Sequence, residues 1–316
     1  MDVLIVGLSS IVTRRALPAL KGMPQVDRID VATKKGADPS TREMWTHGDV
    51  YEDYAEGIRR TPAQLVYVSL VNSEHERWAR VALEAGKHVI VDKPAFLDCD
   101  RADRMVELAA RQDLCLAEAT VFGYHPQMNV IRQALLGSAP TRISAVLSFP
   151  PMDPGNFRYQ AALGGGALWD VGPYLAASSR ILFGVEPVTV DCRVLARSDS
   201  DVEIAFSALG TFPGGGSLVG HFGFDTAYVN RLQLIGRTHS VEIDRAFTTP
   251  ADYANTVHVI GPNGASSVDV PPADAFRCFF EHVVGRIAAH DVSRLAADIL
   301  ADSHLLDRYR RAAGAA

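Results

Sequence analysis

Four short, largely apolar runs in the first third of the chain, residues 3–6, 29–32, 65–70 and 89–91, lack the regular polar alternation of a strand with one wet face. Strands of that kind are buried on both sides, and the segments between them carry helical periodicity. A parallel sheet covered by helices on both faces fits this pattern. Right-handed crossovers then make it a doubly wound sheet. Residues 11–20 read as the first helix. Ser73-Glu74-His75-Glu76 reads as a capping box opening a second, with Trp78, Val81, Ala82 and Ala85 at helical spacing and Gly86 as its stop. Residues 102–111 continue as a helix and 114–117 as a further strand.

The rhythm changes after about residue 140. Residues 143–149, 188–196, 202–208, 217–223, 230–235, 240–243 and 256–260 are strand candidates separated by Gly, Pro, Asp and Asn turns, without long helices between most of them. That argues a mostly antiparallel sheet. One helix, 167–183, precedes this run, and the tail from 273 to 313 returns to a helical pattern. The fold class expected is therefore α/β: a Rossmann-type domain over residues 1–120, then an α+β domain over 121–316 with a large, mostly antiparallel sheet. The last helices are free to pack back on the first domain. A length of 316 residues suits one large or two medium domains.

A formal net charge of -6 argues against a nucleic-acid binder. No apolar run approaches the length of a membrane span, and the first is too short for a signal-peptide core, so a soluble cytoplasmic protein is expected. Cys99, Cys115, Cys192 and Cys278 form no metal-spaced pair. They are expected as small buried thiols, with no metal site and no disulfide framework.

Gly7-Leu8-Ser9-Ser10-Ile11 lies between the first strand and the first helix. There a pyrophosphate can meet backbone amides and the positive end of a helix dipole. Ser9 stands where a full G-x-G-x-x-G pattern has its second glycine, and the segment is equally compatible with a plain strand–helix turn. The second strand runs into Thr33-Lys34-Lys35. An acidic residue at that place binds the ribose 2′-hydroxyl of NAD, whereas a 2′-phosphate needs cations. Thr33 can donate to a phosphate oxygen and Lys34 or Lys35 can neutralise it, while Asp30 falls too early. NADP(H) is favoured over NAD(H); two solvated surface lysines are the alternative.

Glu84-Ala85-Gly86-Lys87-His88 followed by Val89-Ile90-Val91-Asp92-Lys93-Pro94 resembles the E-A-G-K-H-V-x-x-E-K-P signature of the glucose–fructose oxidoreductase / inositol dehydrogenase (Gfo/Idh/MocA) family, with Asp92 for the usual Glu. Asn72-Ser73-Glu74-His75 is similar to the family's P-N-x-x-H. The run from Gly164-Gly165-Gly166 to Tyr174 resembles its G-G-G-A-L-x-D-x-G-x-[HY] segment. The resemblance implies that Lys93, Asp170 and Tyr174 converge on a substrate carbonyl beside the nicotinamide: Tyr174 as acid/base, Lys93 orienting the substrate oxygen, Asp170 anchoring a substrate hydroxyl or the lysine. It adds Leu70, Asn72, His75, Pro94 and Glu118 to the cofactor residues, and Tyr124, His125, Asn156, Arg158 and Trp169 to the substrate side.

Elementary chemistry agrees. Residues 170 and 174 share one face of a helix, Lys93 closes a parallel strand at its carboxyl end, and an ammonium eases proton release by a phenol. Tyr174, with Asn156 and Arg158 upstream, looks like the branch of sugar 3-ketoreductases and dihydrodiol dehydrogenases. That branch usually reads F-M-Y-R before His-Pro-Gln, where this chain has Thr120-Val121-Phe122-Gly123. The expected activity is reduction of a ketone on a sugar or sugar nucleotide by a homo-oligomer, dimer or tetramer. A dihydrodiol, polyol or imine substrate and a non-catalytic NADP-binding sensor are the alternatives.

Overall fold

The computed structural model describes residues 1–35, 38, 42, 45, 47–137 and 139–315, which fall into two units: residues 1–119 with 276–300, and 120–275 with 301–316. In the first, β1 (Asp2–Val6) leads through a π-helical stretch, Val12–Ala16, into α1 (Leu17–Lys21). Then come β2 (Arg28–Ala32), β3 (Val50–Tyr51), α2 (Tyr54–Arg60), β4 (Leu65–Val68), α3 (His75–Glu84), β5 (His88–Val91), α4 (Cys99–Arg111) and β6 (Leu116–Glu118). The six strands pair in parallel in the order β3-β2-β1-β4-β5-β6. The chain therefore leaves β1 in one direction and returns at β4 in the other. That switch falls at the carboxyl ends of β1 and β4, the place where open α/β sheets bind ligands.

Both faces of this sheet are dry, as the apolar runs require. Leu4, Val6, Val66, Val68, Val89 and Val91 pack on Trp78, Ala82, Met105 and Ile299. Burial of such side chains stabilises by about 1.5–3 kcal/mol each.

The second unit holds α5 (Gln127–Ala134), β7 (Arg142–Ser148), α6 (Ala167–Asp170), α7 (Gly172–Phe183) and strands β8 (Thr189–Arg197), β9 (Glu203–Phe212), β10 (Gly216–Gly223), β11 (Val229–Ile235), β12 (Ser240–Asp244), β13 (Asn255–Gly261) and β14 (Gly264–Val270). The eight strands order as β14-β13-β12-β11-β7-β10-β9-β8, and every pair is antiparallel except β7 with β10. The chain ends in α8 (Ala275–Ala288) and α9 (Ser293–Ala312). Phe280 of α8 packs edge-on against Tyr67 of β4, with centroids 5.5 Å apart. The far half of α9 belongs to the second unit, where Asp302 takes a bidentate bond from Arg180 of α7 at 2.8 and 2.7 Å.

Several local expectations need correcting. The helix expected over 167–183 is two helices broken at Val171 (φ −114°, ψ −13°). The Ser73–Glu76 box does not form: a 3₁₀ turn over Asn72–Glu74 precedes α3, neither start has a side-chain cap, and Glu76 bonds Arg80 instead. β3, α2 and β14 were not expected. Cys115 and Cys192 are buried, and burial pushes both thiols up to about 12, but Cys99 and Cys278 are only half-buried. Among the described residues no group of His, Cys, Asp and Glu could hold a metal ion.

Candidate active site

The cofactor residues nominated from sequence line the carboxyl edge of the six-stranded sheet. Gly7 follows β1 with φ +96°, and a Cβ there would collide with the Ser69 carbonyl and the Leu70 side chain. Only glycine lets the turn pass so close to the loop after β4. Ser9 accepts from the Val12 amide at 3.2 Å, capping the π-helical stretch, while Ser10 is exposed and Ile11 half-buried. This is a turn a pyrophosphate fits, with a helix start behind it.

At the end of β2, Thr33 is buried and its hydroxyl accepts from the Lys35 amide at 3.2 Å. Lys34 and Lys35 are exposed, and the Lys34 ammonium lies 5.9 Å from the Tyr54 ring centroid. Asp30 is no rival ribose ligand. It is fully buried and already occupied by Thr61 Oγ1 (2.6 Å), the Asp49 amide (2.7 Å) and Arg28 Nε (2.8 Å). The edge offers a 2′-phosphate a hydroxyl and two cations, and no carboxylate from β2 opposes it.

His75 and Glu118 both bond to backbone groups of neighbouring loops. His75 is fully buried, with Nδ1 2.8 Å from the Pro94 carbonyl and Nε2 3.1 Å from that of Leu70. It ties together the loops after β4 and β5. Glu118 accepts from the Ala95 amide at 2.7 Å and so fixes the turn beyond the cis peptide Lys93-Pro94. Asn72 is buried at the start of its 3₁₀ turn. Lys93 is half-buried at the end of β5, beside the enclosed Asp92 carboxylate.

The second unit assembles the remaining residues around the triple glycine. Gly165 donates to the Gln160 carbonyl at 3.0 Å and Gly166 to that of Arg158 at 2.9 Å. A Cβ on Gly165 would come within 2.6 Å of the Arg158 oxygen, and one on Gly166 (φ +116°) would strike the Glu203 carboxylate. Glycine is needed because the 157–160 segment and Glu203 both press on this turn. Glu203, which the sequence did not single out, accepts from the Leu168 amide. Burial raises its carboxyl above the usual range, partly offset by that amide and by Arg310 and Arg197.

Wrapped in this way, Arg158 places Nε 2.8 Å from Asp170 Oδ2, and the Asp170 side chain keeps 8% of its surface. Burial opposes the Arg158 charge, but Asp170, with a contribution from the Tyr174 phenol, outweighs it and holds the guanidinium above its ordinary value. Asp170 and Tyr174 sit on either side of the break at Val171 rather than on one continuous helix, although the Tyr174 amide still bonds the Val171 carbonyl at 3.2 Å. Tyr174 is half-buried against Phe122 (5.7 Å) and Phe247 (5.5 Å). A Cβ on Gly123 would lie 2.7 Å from Ile181 Cδ1, the movable end of that side chain. The missing Tyr-Arg pair is thus replaced by an apolar wall. Asn156 caps the Phe157–Tyr159 turn through the Arg158 amide at 3.1 Å. Trp169 is buried under the Arg310 guanidinium, 3.8 Å from its ring centroid, and His125 is buried, with Nδ1 accepting from the Gln127 amide at 3.2 Å. Tyr124 is half-buried in the 3₁₀ turn Val121–Tyr124.

A Rossmann sheet with a glycine turn at its switch point, followed by a sheet domain presenting Asp170 and Tyr174, defines a nucleotide-dependent oxidoreductase. Residues 1–120 match the NAD-binding Rossmann-fold model of the Gfo/Idh/MocA oxidoreductases and residues 130–242 a C-terminal domain model of the same family, so the chain belongs to that family. It is 30% identical to dTDP-3,4-didehydro-2,6-dideoxy-alpha-D-glucose 3-reductase of Actinomadura kijaniata over 317 residues, 98% of this chain and 94% of that one. The enzyme of the same description from Streptomyces violaceoruber is 31% identical over 326 residues, with the same coverage of each. The crystal structure of KijD10, a 3-ketoreductase from A. kijaniata in complex with NADP and TDP-benzene, superposes with a TM-score of 0.93 at 30% identity, covering 99% of this chain and 98% of that one.

Proposed function

We propose that the chain reduces a ketone on a nucleotide-linked deoxysugar with NADPH. The observation that carries this reading is the end of β2. Thr33, Lys34 and Lys35 suit a 2′-phosphate, and Asp30, the one acid in that strand, is bonded elsewhere. The relatives add weight, since the similar enzymes are dTDP-sugar 3-reductases and the similar crystal structure holds NADP. The apolar wall of Phe122 and Phe247 beside Tyr174 suits a sugar with fewer hydroxyls.

When bound, NADPH supplies the hydride. Gly7 and the amides around Ser9 and Ser10 would hold its pyrophosphate, and Lys34 its 2′-phosphate. Lys93 orients the substrate oxygen, and Tyr174 gives its phenolic proton to the oxygen as the carbonyl becomes an alcohol. The Arg158 guanidinium offsets the phenolate left behind. We also assign the protein to the cytoplasm, where NADPH is supplied, and to a homo-oligomer formed through the outer face of the eight-stranded sheet. No described helix is long and apolar enough to cross a membrane.

The test is NADPH oxidation with a panel of dTDP-linked ketosugars. Tyr174→Phe is expected to lower kcat by about 10²–10⁴-fold while NADPH still binds. Lys34→Ala is expected to weaken NADPH by about tenfold and leave NADH unchanged. A preference for NADH in the wild type, or full activity in Tyr174→Phe, would overturn the reading.

A further inference from the structure

The chain departs from its family's motifs at Ser9, in place of a glycine, and at Asp92, in place of a glutamate. Hydrogen bonds join these two positions. Ser9 Oγ lies 2.8 Å from Ser69 Oγ, the Ser69 hydroxyl donates to one oxygen of Asp92, and the Tyr67 hydroxyl donates to the other. The proton order follows from the ends. An ionised carboxylate only accepts, so Ser69 and Tyr67 must donate to it. Ser69 has then given its single proton, so Ser9 donates to Ser69 and keeps its lone pairs for the Val12 amide, 3.2 Å away. The result is a one-way chain from the nucleotide turn to the residue next to Lys93.

We propose that Ser9, Ser69 and Tyr67 are positioning residues that hold Asp92 as the charged neighbour of Lys93, and that this chain transmits the seating of the nucleotide on the turn to that lysine. It rests on the role of Lys93 in the reductase reading.

Burial raises the Asp92 carboxyl above the ordinary carboxylate range, and the hydroxyls of Ser69 and Tyr67, then the charges of His75 and Lys93, pull it back. The two hydroxyls therefore decide how much of Asp92 is charged as pH falls. The groups bearing on it are Tyr67 and Ser69 from β4 and its loop, His75 from α3 and its own neighbour Lys93. Glu118 at the end of β6 is turned to the Ala95 amide, and α8 sets the Phe280 ring against that of Tyr67. A glycine at position 9 would leave Ser69 without its donor.

The test follows Asp92 by carboxyl 13C NMR of the full chain labelled at aspartate, with Asp92→Asn assigning the resonance. Ser9→Gly and Ser69→Ala each remove support for the charged form, so the Asp92 midpoint should rise, by about one pH unit in Ser69→Ala. The acidic limb of kcat should rise with it, and the NADPH KM should change less than kcat. Ser9→Thr, which keeps a hydroxyl, should restore the wild-type midpoint. Adding NADPH should shift the midpoint of the wild type and not that of Ser69→Ala. If Ser69→Ala does not fold, Ser9→Gly carries the comparison. A midpoint indifferent to Ser9→Gly, or one that NADPH leaves unmoved in the wild type, overturns the relay. A protein that shows the coupled titration but transfers no hydride would sink the reductase reading and leave the relay standing.

Discussion

Removing Arg158 would take from the Asp170 carboxylate, which keeps 8% of its surface, the guanidinium that pairs with it through Nε at 2.8 Å. Breaking a buried pair from one side costs about 3–5 kcal/mol, because the remaining charge is left uncompensated. Arg158→Ala should therefore lower the thermal midpoint markedly and reduce kcat, since Asp170 and the Tyr174 region lose their common counter-charge. A variant with an unchanged midpoint and only a higher substrate KM would make Arg158 a plain substrate ligand instead. The sequence named both residues but not their pairing. Arg158 is twelve positions from Asp170, and nothing local says that the intervening glycines fold the segment back. The triple glycine was the available signal: Gly165 and Gly166 mark close backbone approaches, and the approaching groups are the Arg158 carbonyl and Glu203. Glu203 itself left no local trace, because its partner amide at Leu168 lies far away in sequence.

A four-residue helix-start pattern occurs at residues 73–76 and again at 53–56, and of these two only the second is used. Ser73-Glu74-His75-Glu76 looks like a capping box but is overridden. His75 is drawn inward, with its ring nitrogens facing the Pro94 and Leu70 carbonyls, and Glu76 accepts from Arg80 at 2.7 Å. In Asp53-Tyr54-Ala55-Glu56, by contrast, Asp53 accepts from the Glu56 amide at 2.8 Å and starts α2. Asp98 likewise caps α4 through the Arg101 amide at 2.7 Å, which sets its start three residues before the one expected. Asp53→Ala and Asp98→Ala should each cost about 1 kcal/mol, whereas Ser73→Ala should stay within about 0.5 kcal/mol. Urea unfolding of the three variants checks this, and an equal loss in Ser73→Ala would restore the box. The strands of the parallel sheet were legible because both of their faces are dry. The two-residue β3 was not, since it is too short to show any period.

At the scale of the whole molecule, one face of the eight-stranded sheet carries exposed apolar side chains among the described residues. Along β9 and β10 the buried residues Ala208, Phe206, Leu218 and Phe222 alternate with Leu209 and Val219, which are 40% and 44% exposed and sit opposite one another. Their row continues through Ser144 and Gln233 on β7 and β11, with Ile235 exposed at the next outward position along β11. Alternation of this kind also serves a face turned to water, so sequence alone could not say what meets it. Size favours a protein partner. Seven strand spacings of ~4.8 Å and strands of about seven residues at ~3.3 Å each give on the order of 800 Å², the area one partner contributes to a standard stable interface. A second copy of the chain can satisfy that area by twofold symmetry, with the Leu209–Val219 pair at its centre. Sedimentation velocity over a range of concentrations should therefore find a dimer or tetramer. Leu209→Lys combined with Val219→Lys should shift it to a smaller species, because burying two ammonium groups opposes closure. NADPH binding should persist in that variant, as its residues lie on the other unit. A wild type that sediments as a monomer throughout would overturn the assignment of this face.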